Sequence, residues 1–244
     1  MAETDGAFLR VEGLDFSYGH LQVLFGVSLQ VGRGEALALL GTNGAGKSTI
    51  LNVIAGLAAP ARGTVRLDGQ EITGIPAERL VSRGLVLVRG GQGVFPDMTV
   101  AENLDVQALT LGRSGPQVAA GRELAFGIFP ELAERLGQKG GSLSGGEQQQ
   151  LALAKAVMLE PKVLCIDELS LGLAPIVVEE LLSIVRQMHE QGTTIILVEQ
   201  SLNLACELCD RAVFLEKGHV RFEGAARELL ERDDIARAVF LGKA

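Results

Sequence analysis

The segment Gly41-Thr42-Asn43-Gly44-Ala45-Gly46-Lys47-Ser48-Thr49 restricts this chain more than anything else in it. A Gly, four residues and then Gly-Lys-Ser keeps Cβ atoms away from a tight backbone curl, so successive N–H groups can face one point. Lys47 adds a mobile cation there, and the Ser48 hydroxyl is a hard oxygen suited to Mg²⁺. Such a loop needs a strand before it and a helix after it. Glu35 to Leu40 reads as a buried strand, and Ile50, Leu51, Val53 and Ile54 give the next residues the apolar face of a helix laid on a sheet. The predicted ligand is a nucleoside triphosphate, held by Gly41, Asn43, Gly44, Ala45, Gly46, Lys47, Ser48 and Thr49.

At 244 residues, 47% of them hydrophobic, the chain can bury one core and carry an insertion. Its 22 basic residues against 30 acidic ones give a net charge of −8, which argues against nucleic acid as a partner. No apolar run reaches the roughly 18 residues a membrane span needs. The acidic opening Met1-Ala2-Glu3-Thr4-Asp5 is no signal peptide, so a soluble chain is expected, reaching a membrane only through a partner. Three cysteines make no disulfide framework. Cys206 and Cys209 fall one helical turn apart among Leu202, Ala205 and Leu208, where packing explains them better than metal or redox chemistry; Cys165 lies in an apolar strand.

Along the chain, residues 8–16 and 23–31 read as strands flanking Tyr18-Gly19-His20, and Gly63 to Asp68 as a short strand ending in the turn Asp68-Gly69. Ala77 to Arg83 is a brief helix and Leu85 to Val88 a buried strand. Tyr18 is the single Tyr of a chain without Trp, and by residue type alone it reads equally as an ordinary surface aromatic or as a stacking ring. Arg89-Gly90-Gly91-Gln92-Gly93 is flexible by composition. Thr99-Val100-Ala101-Glu102 has the form of a capping box. From there to about Glu160 the pattern is helical, broken at 112–115 and 138–146, whereas strands and helices alternate on either side. Residues 90–160 therefore read as a helical insertion in an α/β core within a single domain spanning 1–244.

Val163-Leu164-Cys165-Ile166 followed by Asp167-Glu168 is the second chemical signal. Two carboxylates at the tip of a buried strand are costly unless they face a cation or a polar cleft. Asp167 suits Mg²⁺, and Glu168, one residue on, can deprotonate a water. Ile176 to Glu190 is amphipathic, with Val177, Leu181, Ile184, Val185 and Met188 on one face. Thr193 to Val198 is a buried strand ending in Glu199-Gln200. Residues 213–215 and 220–222 form a hairpin about Lys217-Gly218, and the tail from Ala225 reads as a helix of mixed charge. His189 and His219 lack neighbours that would make a metal site or a triad.

Leu143-Ser144-Gly145-Gly146-Glu147, just ahead of a helix, is a second anion-binding element. With it the chain resembles the ATP-binding-cassette (ABC) family over nearly its whole length. Gly41–Thr49 matches the family's Walker A, Leu143–Glu147 its signature motif and Val163–Glu168 its Walker B with the catalytic glutamate. Tyr18 falls where the family stacks an aromatic on adenine. Ser170-Leu171-Gly172-Leu173-Ala174-Pro175, Leu197-Val198-Glu199-Gln200, Val94-Phe95-Pro96 and Thr99–Asn103 are similar to the ATP-binding subunits of branched-chain amino-acid importers and of related urea and amide importers.

The resemblance implies a P-loop fold with a parallel sheet, an N-terminal antiparallel β subdomain and the inserted helical subdomain. It implies ATP and Mg²⁺, and a head-to-tail pair made with a second copy or a paralogue. Each nucleotide would lie between the Lys47 loop of one subunit and Ser144, Gly145 and Gly146 of the other. It further implies permease subunits, an indirect solute-binding protein and a place on the cytoplasmic face of the membrane. Glu168 would be the catalytic base and Gln200 the switch residue, where most of the family has His. Three other positions depart from the family pattern. Gly90 stands where the flexible-loop glutamine is expected, so that Gln92 becomes the candidate for the Mg²⁺ contact beside Ser48 and Asp167. Arg89 and Leu169 each replace a proline. A soluble assembly ATPase and a weakly hydrolytic regulatory module are the alternative readings.

Overall fold

The computed structural model describes residues 6–110, 112 and 114–231. The N-terminal part is a four-stranded antiparallel sheet of order β2-β1-β4-β5, built from β1 (Ala7–Tyr18), β2 (Leu21–Gly32), β4 (Arg62–Leu67) and β5 (Gln70–Glu71). Asp68-Gly69 closes β4 on β5 with both residues at positive φ (51° and 73°), the primed turn that matches strand twist. Tyr18 is the last residue of β1 rather than a loop residue, and its ring is 53% exposed.

The second sheet has six strands in the order β10-β9-β3-β8-β7-β6. β3 (Ala36–Gly41), β6 (Leu85–Arg89), β7 (Val163–Asp167), β8 (Thr194–Val198) and β9 (Arg211–Glu216) are all parallel, and only β10 (His219–Ala225) is antiparallel. Lys217 and Gly218 make the β9–β10 turn at φ 48° and 77°. Alternation along β3 divides the interior. Leu37 and Leu39 face one apolar cluster with α1 (Lys47–Ile54) and the antiparallel sheet, whereas Ala36, Ala38 and Leu40 face another with the remaining helices. Both faces of the parallel sheet are thus dry, which is why its strands read as unbroken apolar runs.

Between β6 and β7 the elements among the described residues are α3 (Val100–Thr110), α4 (Gly115–Ile128), α5 (Pro130–Ala133), a single 3-10 turn (Gly140–Ser142) and α6 (Gly145–Val157), joined by loops. The expected capping box at α3 is present, with Thr99 N donating to Glu102 Oε2 (2.7 Å) and Glu102 N to Thr99 Oγ1 (3.2 Å). α2 (Ala77–Val81) precedes β6, and α7 (Pro175–Glu190) and α8 (Leu202–Leu208) follow β7 and β8. On α7 the buried face holds Val178 and Leu182 with Leu181, Ile184, Val185 and Met188; Val177 is only half-buried. Cys165 and Cys209 are buried thiols that burial pushes up, Cys165 to about 12, and Cys206 S–H donates to Ala226 O (3.1 Å). α9 (Glu228–Glu231) begins the expected helical tail, whose remainder lies outside the described residues.

Candidate functional site

Parallel strands deliver their C-terminal ends to one edge, and this is where an α/β sheet collects ligand-binding loops. Here β3, β8, β7 and β6 lie side by side and end in Gly41, Val198, Asp167 and Arg89 respectively. The phosphate loop, Glu199-Gln200, Asp167-Glu168 and Gly90 therefore meet although they come from four distant parts of the chain.

The phosphate loop has the backbone its glycines foretell. Gly44 sits at φ 77° and Gly46, the N-cap of α1, at φ 102°. A Cβ at Gly46 would stand 2.6 Å from Leu24 Cδ2, so only glycine lets the loop lie this close to β2. Lys47 Nζ donates to Gly41 O (2.9 Å) and Thr42 O (3.1 Å). Burial lowers its pKa, while Glu168 and Asp167 pull the other way. Ser48 Oγ, exposed at the mouth, donates to Asp167 Oδ1 (3.1 Å), which joins the loop to the acid pair. Tyr18 leans over the same helix start, its hydroxyl 3.5 Å from Thr49 Oγ1 and its ring edge-on to Phe16. Burial raises Asp167, with Ser48, Arg89 and Lys47 opposing. A dry carboxylate beside a hydroxyl is a hard-oxygen pair suited to a divalent cation.

Glu168 turns away from the strand at φ 56°, left-handed and strained for a residue with a Cβ. Its Oε1 accepts from Gln200 Nε2 at 2.8 Å, so the two residues assigned to catalysis are in direct contact. Gly90 explains part of that backbone. Its N–H donates to Asp167 O (2.8 Å), and a Cβ there would be driven into the Glu168 carbonyl oxygen, with Glu168 C at 3.0 Å and Asp167 O at 3.3 Å. A glutamine therefore does not fit at Gly90 as the strands now lie. Gln92 is exposed and lines a groove with Ala55, Leu57, Arg89 and Lys155, to which neither Ser48 nor Asp167 belongs. Arg89 points back to α1 and donates to Asn52 Oδ1.

Ser144 caps α6 with a full capping box: Glu147 N donates to Ser144 Oγ (3.3 Å) and Ser144 N to Glu147 Oε2 (2.7 Å). The Ser144 hydroxyl still has its own proton to donate, and Gly145 and Gly146 carry first-turn amides that a helix cannot satisfy internally. The neighbours of this element are Leu173 and Val177, the latter 2.7 Å from where a Gly146 Cβ would be, and not the phosphate loop of the same chain. Gly145 and Gly146 thus have residues of the α7 start, and not the Lys47 loop, as their nearest neighbours within one chain.

A family model described as ABC transporter matches residues 24–170, which include the phosphate loop, the Ser144 element and the acid pair. The chain belongs to the ABC transporter family. This ABC ATPase is 40% identical over 225 residues to the high-affinity branched-chain amino acid transport ATP-binding protein BraG of Pseudomonas aeruginosa, covering 92% of this chain and 95% of that one. It is 37% identical over 226 residues to the probable branched-chain amino acid transport ATP-binding protein LivF of Archaeoglobus fulgidus, covering 92% and 95%. Among solved structures, a nucleotide-free ATP-binding cassette from an ABC transporter superposes with a TM-score of 0.84 at 26% identity, covering 96% of this chain and 98% of the other. The ADP conformation of the cassette MJ1267 superposes equally well (0.84, 26%), covering 97% and 99%. The chain is thus an ATP-binding, ATP-hydrolysing subunit of a transporter, with the matching cassette fold. No helix among its described residues is long and apolar enough to cross a membrane.

Sequence reasoning passed over two polar groups that this cassette depends on. Asn103, fully buried, accepts from Phe95 N (2.8 Å) and donates to the carbonyls of Phe95, Met98 and Thr99, so one amide organises the loop before α3. Glu199 is 1% exposed. A carboxylate directly after an apolar strand was its only signal.

Proposed function

We propose that this ABC ATPase powers the import of branched-chain amino acids, or of a related small polar solute, through membrane-embedded permease subunits at the cytoplasmic face of the membrane. Its near full-length similarity to BraG carries the reading. The Ser170–Pro175 and Leu197–Gln200 phrases support it.

In this reading the nucleotide phosphates sit against the amides of residues 43–48, with Lys47 turning from its loop carbonyls to the outer phosphates. Ser48 and Asp167 would hold Mg²⁺, which supplies charge neutralisation for phosphoryl transfer. Gln92 joins them only if the Gly90–Gly93 segment swings out of its groove. Glu168 accepts a proton from the attacking water while Gln200 fixes its carboxylate; base catalysis of this kind contributes about 10²–10⁴ in rate. Tyr18 offers its exposed face to the base of the nucleotide. The site is completed by Ser144, Gly145 and Gly146 of a second copy or a paralogue, because the chain's own copy of that element faces α7. Residues 90–160 form the helical subdomain that brings this element to the partner, and a solute-binding protein acts only through the permease.

Reconstitution in vesicles with its permease and binding-protein partners tests this. ATP inside should drive uptake of leucine, isoleucine or valine in preference to arginine or urea. Uptake of arginine or urea instead, with no branched-chain transport, overturns the substrate assignment.

A further inference from the structure

Glu199 follows β8 and belongs to neither the phosphate loop nor the acid pair, yet it is almost wholly enclosed at 1% exposure. An enclosed carboxylate must find donors or lose its charge. It finds them on two loops. Oε1 accepts from Ser170 N at 3.0 Å, and Oε2 accepts from Ser170 Oγ at 2.7 Å and from Gln200 N at 3.3 Å. Burial raises its pKa, these three hydrogen bonds lower it, and the Glu168 charge raises it again.

The two loops so joined are the ones that place the base. Ser170 is two residues past Glu168, whose own N–H is held by Val198 O (3.0 Å), the residue just before Glu199. Gln200, whose amide N–H Glu199 holds, donates its side chain to the Glu168 carboxylate at 2.8 Å. Glu168 also sits in the left-handed region, which an L-residue keeps only when its surroundings impose it. Two loops, a strained base between them and one enclosed carboxylate bonded to both make a clip.

We propose that Glu199 is a positioning residue for ATP hydrolysis, clipping the Ser170 loop to Gln200 so that the Glu168 carboxylate is held where it meets the attacking water. It touches neither nucleotide nor water and acts through Glu168. The role rests on Glu168 being the base.

The test is steady-state ATP hydrolysis by the full chain with its permease partners, together with ATP binding and thermal unfolding. Glu199→Ala should lower kcat about 10–100-fold, the usual cost of a misplaced reacting group, with KM for ATP changed less than about twofold. Glu199→Gln should recover part of the rate and fall between Ala and wild type, because an amide can accept from Ser170 N and donate to Ser170 Oγ but cannot also accept from Gln200 N. In a Glu168→Gln background, Glu199→Ala should add little further loss, since both act on one step. Should Glu199→Ala not fold, Ser170→Ala removes one arm of the clip and should lower kcat several-fold at constant KM. Wild-type kcat in the Ala variants overturns the proposal. So does a rise in KM equal to the fall in kcat, a Gln variant as slow as the Ala one, or full additivity with Glu168→Gln. If Glu168→Gln alone hydrolyses at the wild-type rate, the base assignment fails instead.

Discussion

Gln200 Nε2 donates to Glu168 Oε1 across 2.8 Å, so an amide stands directly against the carboxylate assigned as the base. An amide orients a carboxylate but cannot carry its proton. With Glu168 as the proposed base, a proton it takes from water therefore has no onward path through Gln200.

Replacing Glu168 by Gln should cut phosphate release by about 10²–10⁴ while ATP still binds, because only the proton acceptor is lost. Replacing Gln200 by Ala should cost about tenfold in kcat with KM nearly unchanged, since a single orienting hydrogen bond is removed. Phosphate-release kinetics over a range of ATP concentrations check both. A variant of Glu168 that hydrolyses normally removes the base.

Gly90 makes a counter-intuitive prediction. Installing Gln there, the residue the family resemblance expects, should lower activity instead of restoring it, because the new Cβ meets the Glu168 carbonyl. The overpacking should cost about 1–3 kcal/mol of stability. Even Gly90→Ala should show the loss, read as a fall in both hydrolysis rate and unfolding midpoint. A faster Gly90→Gln enzyme would mean that the strand ends relax more than their contacts suggest.

Lys155 gives a pH signature. It is 7% exposed, donates to Gly93 O (2.8 Å) and lies over the Phe95 ring, and burial lowers its pKa to about 8. Below that pH the lysine is charged both folded and unfolded, and the folded state carries the burial cost. Between about 8 and about 10.4 the unfolded chain binds the extra proton, so this residue's contribution to stability rises with pH. Discounted for residual solvent contact, the rise is about 1–3 kcal/mol. Denaturant unfolding of wild type and Lys155→Met at pH 7.5 and 9.5 should show the difference shifting in favour of wild type at the higher pH. No shift, or the opposite one, contradicts the burial argument.

Asn103→Ala should destabilise the fold by about 1–3 kcal/mol, since the Phe95 amide loses its acceptor and three carbonyls each lose one of two donors. Asn103→Asp should also destabilise it, because a carboxylate cannot donate to those carbonyls. Urea unfolding midpoints read both.

What the sequence disclosed, and what it hid, divides by distance along the chain. The phosphate loop, the Thr99–Glu102 and Ser144–Glu147 ends of helices and the Asp167-Glu168 tip are contiguous, and their chemistry follows from residue types at fixed spacing. The central strands β3, β7 and β8 were legible because burial on both faces leaves them apolar. The ties between segments were not. Ser170 to Glu199 spans 29 positions and Gly90 to Glu168 is a backbone approach, and no local pattern encodes either. The expectation for Gln92 rested on proximity to Gly90 in sequence, whereas the structure places it in a groove with Leu57 and Lys155. On α7 the expected Leu181, Ile184, Val185 and Met188 are buried and Val177 packs partly buried against the same core, which Val178 and Leu182 extend.

The account turns on a nucleotide gripped by the Lys47 loop of one subunit and the Ser144 helix start of another. Light scattering or sedimentation of the Glu168→Gln variant with Mg·ATP, its permease partners present, measures this directly when the distance between two labelled cassettes is read at the same time. The cassettes should close together with Mg·ATP, stay apart with ADP, and fail to close when Ser144 is also changed to Arg. Cassettes that remain apart at saturating Mg·ATP, or that close equally well with Ser144→Arg, would contradict it.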